Sequence, residues 1–526
     1  MIHRLSQHAV ALTLSAHTGR RLFAQSISLC NASAAEVKYA PLWVNNRPLL
    51  DTSGTFEVRH PASKQIATQA SACDASQLSK IISSSRSGAK TWASTTAFQR
   101  RQILTRVAQL LHERKAIFRD AQAAETSATG LTQDVDFKLS INSIEEAAAI
   151  TSQITGDIPQ TVDGSLALVT REPFGTVFSI SPFNMALILS IRAIVWPLAC
   201  GNSVLLKGSP LIPYTHSLMG ELFKDAGLPD GVLNIVQFDP DNVSSLVEQT
   251  IAHKDIKMVN FTGSPAVGSK IGSICGRYIK PAILELGGKA AAVVLEKADI
   301  EKAAHTILFG SSFHAGQTCM ATERVIVVSS IYDDFVAVMK RKVTDLIKAL
   351  KTDESEVAEM GLSGEGSAEK VKCLVKDALN KGATSLIEIH SLEKCHSSKA
   401  QPIVLEGVTS EMNVYFEESF GPLLSIIRAN DADHAVEIAN DSEFGLSSSV
   451  WTEDYRQAIQ VAKALECSAV HINSNTVHDQ GSLPHGGHKS SGYGRFNGKY
   501  AIDSFTQTKT ITFRMNEPQA PFSLLK

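Results

Sequence analysis

From about residue 38 the chain settles into regular alternations of apolar and polar positions. "APLWVNNRPLL" has the period of two expected of a strand and runs into a polar turn at "DTSG". Two helical segments follow. "DASQLSKIISSSRSGAKTWAS" opens on an aspartate able to cap it. "TAFQRRQILTRVAQLLHERKAIFRDAQAAETSATG" carries Ile103, Val107, Leu110 and Leu111 at helical spacing, with Gly130 expected as its stop. After "SINSIEEAAAITSQITG" the period returns to two on both sides of Asp163 and Gly164, a hairpin signal. Such a hairpin needs a partner surface, and "TKTITFR" near the C-terminus is a candidate strand to pair with it or with a neighbouring subunit.

Next come "GTVFSISP", "SVLLKGS", "VLNIVQF", "IKMVNFTGS" and "AILELGG", apolar strands separated by helix-length segments. Strands alternating with helices pair in parallel, so an α/β sheet covered on both faces is expected, with ligands at the carboxyl ends of its strands. A second alternation runs from "AAAVVLEKADIEKAAHTIL" through "ERVIVVSSIYDDFVAVMKRKV" to "SIIRANDADHAVEIANDSEFGLSSSVWT" and predicts a second α/β unit without tandem repeats.

Composition acts mainly by exclusion. At 526 residues the chain is too long for one growing core, so two or more packed units are expected. With 44% hydrophobic and 20% charged residues and a net charge of -3, it has no basic stripe and no expected nucleic-acid partner. No apolar run is long enough for a membrane span. The eight cysteines show no paired spacing, so neither a disulfide framework nor a metal site is expected. The N-terminal segment 1–36 differs: its first acid is Glu36, and Arg4, Arg20 and Arg21 lie among serines and spaced apolar residues. That pattern fits a mitochondrial transit peptide and a matrix location, the alternative being a disordered tail on a cytoplasmic protein.

Several short strings could carry chemistry, and each has a plainer reading. Cys319 in "SSFHAGQTCMATER" is either a buried filler or a nucleophile, the latter if it starts a helix or sits on a backbone nest. Glu285 ends the strand of "AILELGGK", where a poorly solvated acid could serve as a general base or merely edge the sheet. Asn184 in "SPFNMALIL" is either a turn residue or a donor to an oxyanion. Lys207 leaves the strand of "LLKGSP", where it could meet a nucleotide or simply be exposed. In "NFTGSPAVGSKIG", Gly263 allows close approach and Ser264 can cap a helix whose N-terminus attracts a pyrophosphate. No G-x-G-x-x-G follows the first strand, and "SGYGRFNG" reads as a loop.

Taken in order, "SPFN", "LLKGSP", "FTGSPAVG", "LELGGK", "GQTC", "EESFGP" and "PHGGHKSSGYGR" resemble the aldehyde dehydrogenase superfamily from about residue 38 to 515. "CMATERVIVV", "INSNTVHDQ" and "GRFNG" look most like its benzaldehyde, salicylaldehyde and vanillin branch. The resemblance implies an α/β protein of two α/β domains with parallel-type sheets plus a β-hairpin oligomerisation element, working as a homodimer or homotetramer. Residues 37–155 and 172–288 would bind the cofactor, 289–498 would carry the chemistry, and 156–171 with 499–515 would form the oligomerisation element. By the same resemblance Cys319 is the nucleophile, Glu285 the base, and Asn184 the oxyanion donor together with the Cys319 backbone N–H. Lys207 would face the adenosine ribose, Gly263 and Ser264 the pyrophosphate, Glu418 the nicotinamide ribose and Phe420 the nicotinamide. The implied reaction takes a small-molecule aldehyde to its carboxylic acid with NAD or NADP. The alternatives are a CoA-acylating semialdehyde dehydrogenase or a catalytically idle binding protein of the same fold.

Departures from the family pattern bear on details. "KGSP" puts Pro210 where an acid is usual. Losing that carboxylate removes an acceptor for the ribose 2'-hydroxyl and a repulsion against a 2'-phosphate, which makes NADP more plausible. Phe183 stands where Trp is common, His314 and Ala315 replace the usual Asn-Gln, His485 takes a usual Phe position, and Phe496 replaces a common Glu. The two histidines either make the pocket polar or only repack it.

Overall fold

The computed structural model describes residues 37–513 apart from 51–53, 163, 352–357 and 391–397. The proposed transit segment 1–36 and hairpin residue Asp163 therefore lie outside the described residues.

The strand and helix alternation of the first half folds into an eight-stranded sheet. Its order is Gly492–Tyr493, Ala282–Glu285, Ile256–Thr262, Thr176–Ile180, Ser203–Lys207, Leu233–Val236, Leu42–Val44 and Arg47–Leu49. The five central strands are parallel. Helices Ile188–Ala199, Pro213–Asp225, Val243–Ala252 and Pro265–Arg277 connect them. Strand Ser203–Lys207 is buried at every position, as a sheet covered on both faces requires. From Thr176–Ile180 the chain builds outward through two strands, then crosses back to Ile256–Thr262 on the other side. That reversal opens a crevice at the carboxyl ends of these two neighbours.

The second sheet runs Thr384–Ser385, Ile403–Glu406, Leu423–Ala429, Thr322–Val328, Ala290–Val294, Ser447–Trp451 and Ala469–Ile472, with all but the first strand parallel. A separate ribbon pairs Leu166–Pro173 with Thr506–Phe513 in antiparallel register over their whole length.

Local readings fail where a tight turn or a tertiary contact intervenes. "APLWVNNRPLL" is two strands, because Asn45 and Asn46 adopt φ of 51° and 55° and reverse the chain between them. Asparagine tolerates this left-handed geometry better than most residues, so the pair was a usable turn signal. The long segment after Thr96 breaks at Arg114 into Ala97–Glu113 and Lys115–Glu125. Gly130 starts helix Gly130–Ile150, capped by Thr129, instead of stopping one.

Three boundaries also move. "SGYG" is not all loop, since Gly492–Tyr493 pairs with Ala282–Glu285 and so joins the first sheet. Helix Gly498–Phe505, expected in the oligomerisation element, buries Ala501, Ile502 and Phe505 in the core that surrounds helix Ile188–Ala199. The ribbon strand extends to Pro173, past the expected end at residue 171. Each shift follows apolar or backbone groups that find partners elsewhere in the fold.

Candidate active site

A short turn links the two sheets. Glu285 ends its strand beside Thr262, and the chain then turns through Gly287 and Gly288 into strand Ala290–Val294. This turn packs tightly. A side chain at Gly288 would strike the Cys319 carbonyl at 2.4 Å, and one at Gly287 would strike the Glu418 carboxylate at 2.4 Å. The turn thereby holds the loops of Cys319 and Glu418 against the end of the first sheet.

Cys319 lies in the turn that leads into strand Thr322–Val328 and does not start a helix. Helix-terminal activation of the thiol is therefore corrected. Upstream, His314, Ala315 and Gly316 take φ of 50°, 55° and 73°, three successive left-handed residues. For the two that carry a Cβ this is strained backbone, and it must be held by its surroundings. Gly316 is required here, because a Cβ would meet the Gly421 carbonyl at 2.1 Å. Gln317 locks the turn: its side chain donates to the His314 carbonyl at 3.2 Å and accepts from the Ser363 N–H at 2.8 Å.

Three of the expected residues converge at this loop. Cys319 Sγ donates to Glu285 Oε1 at 3.2 Å, and Asn184 Nδ2 donates to the Gln317 carbonyl at 2.9 Å. The second N–H of that amide is left for another acceptor. Burial pushes the Cys319 thiol well above its ordinary pKa, and the Glu285 charge adds to this. Burial alone would raise Glu285 too, but Arg192, then His485 and Cys319, outweigh it and hold the carboxyl at about 2. The resting pair is a thiol facing a carboxylate.

Glu285 belongs to a ring of four side chains. Its Oε2 accepts from Arg192 Nη2 at 3.1 Å, Arg192 Nη1 reaches Asp479 Oδ2 at 3.0 Å, and His485 lies between the two acids, 3.4 Å from Glu285 Oε1 and 3.8 Å from Asp479 Oδ1. Asn497 also donates to Asp479, at 2.8 Å, and the Arg192 guanidinium stands over the Phe496 ring. Arg192 and Asp479 were not anticipated. An arginine inside the apolar helix "LILSIRAIVWPLACG" was the available signal, since a buried cation needs partners. His314 is buried and its ring bonds the Asn184 backbone. Burial lowers it to about 4, so it is neutral at pH 7.

The remaining expected residues divide between the sheets. Lys207 is 8% exposed at the carboxyl end of its strand, and its ammonium has no acceptor among the described residues. Burial lowers it to about 8. Close by, both amide atoms of Gln237 and His216 Nδ1 are buried without partners, all of them around Gly208. Gly263 takes the Glu285 carbonyl as acceptor, and a Cβ there would strike the ring of Phe261 at 2.6 Å. Ser264 occupies the N-cap position of Pro265–Arg277, but its side chain makes no cap hydrogen bond, so the expected side-chain cap is absent. Ser264 is exposed.

Glu418 and Phe420 precede strand Leu423–Ala429. Glu418 Oε1 accepts from the Gly288 N–H at 2.9 Å, and burial followed by repulsion from Glu323 raises its carboxyl to about 7. Phe420 has φ of 50° and is fixed by Glu323, which accepts from the N–H groups of Ser419 and Phe420 and is itself paired with Lys289. Among the described residues no group of three or more His, Cys, Asp or Glu is placed to hold a metal ion, and no helix is long and apolar enough to cross a membrane.

Comparison with known proteins places this geometry. The model of the aldehyde dehydrogenase family matches residues 49–511. The chain is 39% identical over 478 residues to the vanillin dehydrogenase of Pseudomonas sp. (strain HR199 / DSM 7063), covering 90% of this chain and 98% of that protein. It superposes on the salicylaldehyde dehydrogenase of Pseudomonas putida G7, solved with salicylaldehyde, with a TM-score of 0.87 and 36% identity over 93% of this chain and all of the other. An NAD+ complex of a Bacillus cereus aldehyde dehydrogenase gives 0.84 at 27% identity, over 91% and 97%. These relatives are bacterial enzymes, and bacteria have no mitochondria, which overturns the expected matrix location. The chain belongs to the aldehyde dehydrogenase family and is an NAD(P)-dependent aldehyde dehydrogenase.

Proposed function

We propose that this enzyme oxidises an aromatic aldehyde to the carboxylic acid through a covalent thiohemiacetal and thioester on Cys319. The observation that carries the reading is the Cys319 thiol donating to the Glu285 carboxylate at 3.2 Å, with the Asn184 amide on the Gln317 carbonyl two residues before Cys319. Attack on the carbonyl carbon needs the thiol proton removed, and Glu285 is in contact to receive it. The oxygen that gains the electron pair needs donors, which the free N–H of Asn184 and the Cys319 backbone would provide. Hydrolysis of the thioester needs an activated water, again beside Glu285. A base present for water favours a free acid over transfer to CoA.

The residues present fit a dinucleotide. Both atoms of the buried Gln237 amide and His216 Nδ1, without partners among the described residues, lie beside the largely buried Lys207 and are groups that a ligand can satisfy. Lys207 would hold the adenosine ribose, Gly263 and Ser264 the pyrophosphate, and Glu418 and Phe420 the nicotinamide end. When bound, the nicotinamide supplies the hydride acceptor. Pro210 at this crevice favours use of NADP alongside NAD. We thus assign nucleotide binding to the unit of 37–155 and 172–288, and the nucleophile to 289–498.

The aromatic preference rests on the substrates named for the relatives and on an apolar cluster against the site. Met185, Ile188, Leu189 and Phe313 pack there with Leu131 and Val477, flanking Asn184 and His314. The ribbon of Leu166–Pro173 and Thr506–Phe513 exposes Leu166, Ile511 and Phe513 and is the proposed contact for a homodimer or homotetramer.

One assay series tests the whole reading. Benzaldehyde and short aliphatic aldehydes are offered with NAD and NADP separately, to wild type and Cys319→Ala, and the product is identified. Acid from the aromatic substrate, lost in the variant, is expected. Activity in Cys319→Ala, acyl-CoA without acid, or faster aliphatic turnover would each remove a part of it.

A further inference from the structure

The ring of Glu285, Arg192, Asp479 and His485 has a charge count that points to a function. With a neutral imidazole it holds one guanidinium and two carboxylates, a net charge of -1 in a region where Arg192 and Glu285 are 2% and 0% exposed. One proton would neutralise it. Uncompensated charge in a low-dielectric interior is costly, so the ring has a standing affinity for a proton. Glu285 is poorly suited to keep that proton, because Arg192 bonds its other oxygen. His485 lies between the two acids and brings a nitrogen to each, so it is the ring member placed to take that proton.

We propose that His485 is a positioning residue that acts through Glu285, holding its carboxylate toward Cys319 and storing the proton that Glu285 receives. The inference rests on Cys319 being the nucleophile. Nδ1 faces Asp479 Oδ1 and Nε2 faces Glu285 Oε1, so a proton that reaches Glu285 has the imidazole as its next station. Both contacts, at 3.4 Å and 3.8 Å, are longer than a full hydrogen bond and close when the proton arrives.

The steps balance. As the C–S bond forms, the Cys319 S–H bond breaks, the carbonyl electron pair moves to oxygen, and the proton crosses Glu285 Oε1 to His485 Nε2. His485 then discharges it to solvent past Asp479, whose side chain is 11% exposed. After hydride has left, a water O–H bond breaks, its oxygen bonds the thioester carbon, and its proton goes to Glu285. The C–S bond breaks with its electrons on sulfur, the proton returns to Cys319, and the product acid ionises in solvent.

The groups facing His485 are few. Glu285 and Asp479 flank the ring, Arg192 spans both acids, and Arg495 lies by Gly486. His471, within electrostatic reach and packed on His478, is lowered to about 4, first by burial, and stays neutral.

The test compares wild type, His485→Phe, His485→Gln and Cys319→Ala, with benzaldehyde and NAD as probes. It reads kcat and KM from about pH 5.5 to 9 together with thermal melting. Both His485 variants should lower kcat at pH 7 by roughly ten- to a hundredfold, leave the aldehyde KM within about threefold, and change the shape of the kcat profile against pH. Glutamine keeps hydrogen-bonding capacity without titrating, so it decides the matter if the Phe variant fails to fold. A folded His485→Gln enzyme with the wild-type kcat and pH profile overturns the proposal. Activity surviving in Cys319→Ala sinks the underlying mechanism instead, a result distinct from any outcome at His485.

Discussion

Two buried polar regions lie at the carboxyl edge of the first sheet, and they are built on opposite plans. At the crevice, beside the largely buried Lys207, the Gln237 amide and His216 Nδ1 are buried with no partner among the described residues. Around Cys319 the charges are closed on one another, through Glu285, Arg192, Asp479 and His485. Unpaired buried groups cost stability and persist where a ligand completes them. A closed charge ring costs less once formed, fixes atoms to a few tenths of an ångström, and is expensive to open. Recognition of a departing molecule and retention of a reactive geometry thus leave different signatures in the same protein.

The contrast breaks most sharply at Arg192. Arg192→Leu should cost about 3–5 kcal/mol, because it leaves Glu285 and Asp479 buried without their cation. Chemical denaturation would read this, and a loss under about 1 kcal/mol would show that the ring does not hold the site together. Released from the cation, Glu285 should also titrate higher, moving the acid limb of the kcat profile toward neutrality.

Asn184→Ala should lower kcat by about 10² to 10³ with little change in aldehyde KM, as the loss of an oxyanion donor does. Equal loss in kcat and gain in KM would place the amide in substrate binding instead.

Lys207→Met probes the opposite plan. Removing a buried charge that has no protein partner should leave the melting temperature unchanged or raised, while the cofactor KM rises roughly tenfold. The wild-type pH dependence has a definite sign. The folded lysine titrates at about 8 against an ordinary 10.5, so between these values the unfolded chain binds more protons and stability without cofactor rises with pH. Cofactor affinity should fall over the same window as the ammonium is lost. Parallel trends would refute the assignment.

The smallest effect belongs to Glu418. Its carboxyl at about 7 ionises across neutrality, so the wild-type cofactor KM should fall a few-fold from pH 6 to 8 as the better acceptor forms. Glu418→Gln should make that dependence flat.

Much of the fold was legible in the chain. Apolar strands at regular intervals with helices between them predicted parallel pairing, and five central strands pair so. The errors cluster where a local pattern is ambiguous: the Asn45–Asn46 reversal, the Arg114 break, Gly130 as a start, and Gly492–Tyr493 as an edge strand. Each was decided by packing that no window of sequence contains.

The site divides similarly. Ordered short motifs single out Cys319, Glu285 and Asn184, and two of those motifs carry glycines that close packing requires, Gly316 before Cys319 and Gly288 after Glu285. Their electrostatics were not legible. Glu285 at the end of an apolar strand predicted a raised carboxyl, and it is lowered, because Arg192 lies against it from another element. A helix start was one of two settings that could have activated Cys319, and it instead sits in a turn after the strained backbone of His314 and Ala315, its thiol raised by burial. By itself the sequence determined which elements form, in which order, and which residue types stand at the sheet ends. Only the tertiary structure decided which charges touch, since a buried pKa depends on neighbours within a few ångströms, and those neighbours come from distant parts of the chain.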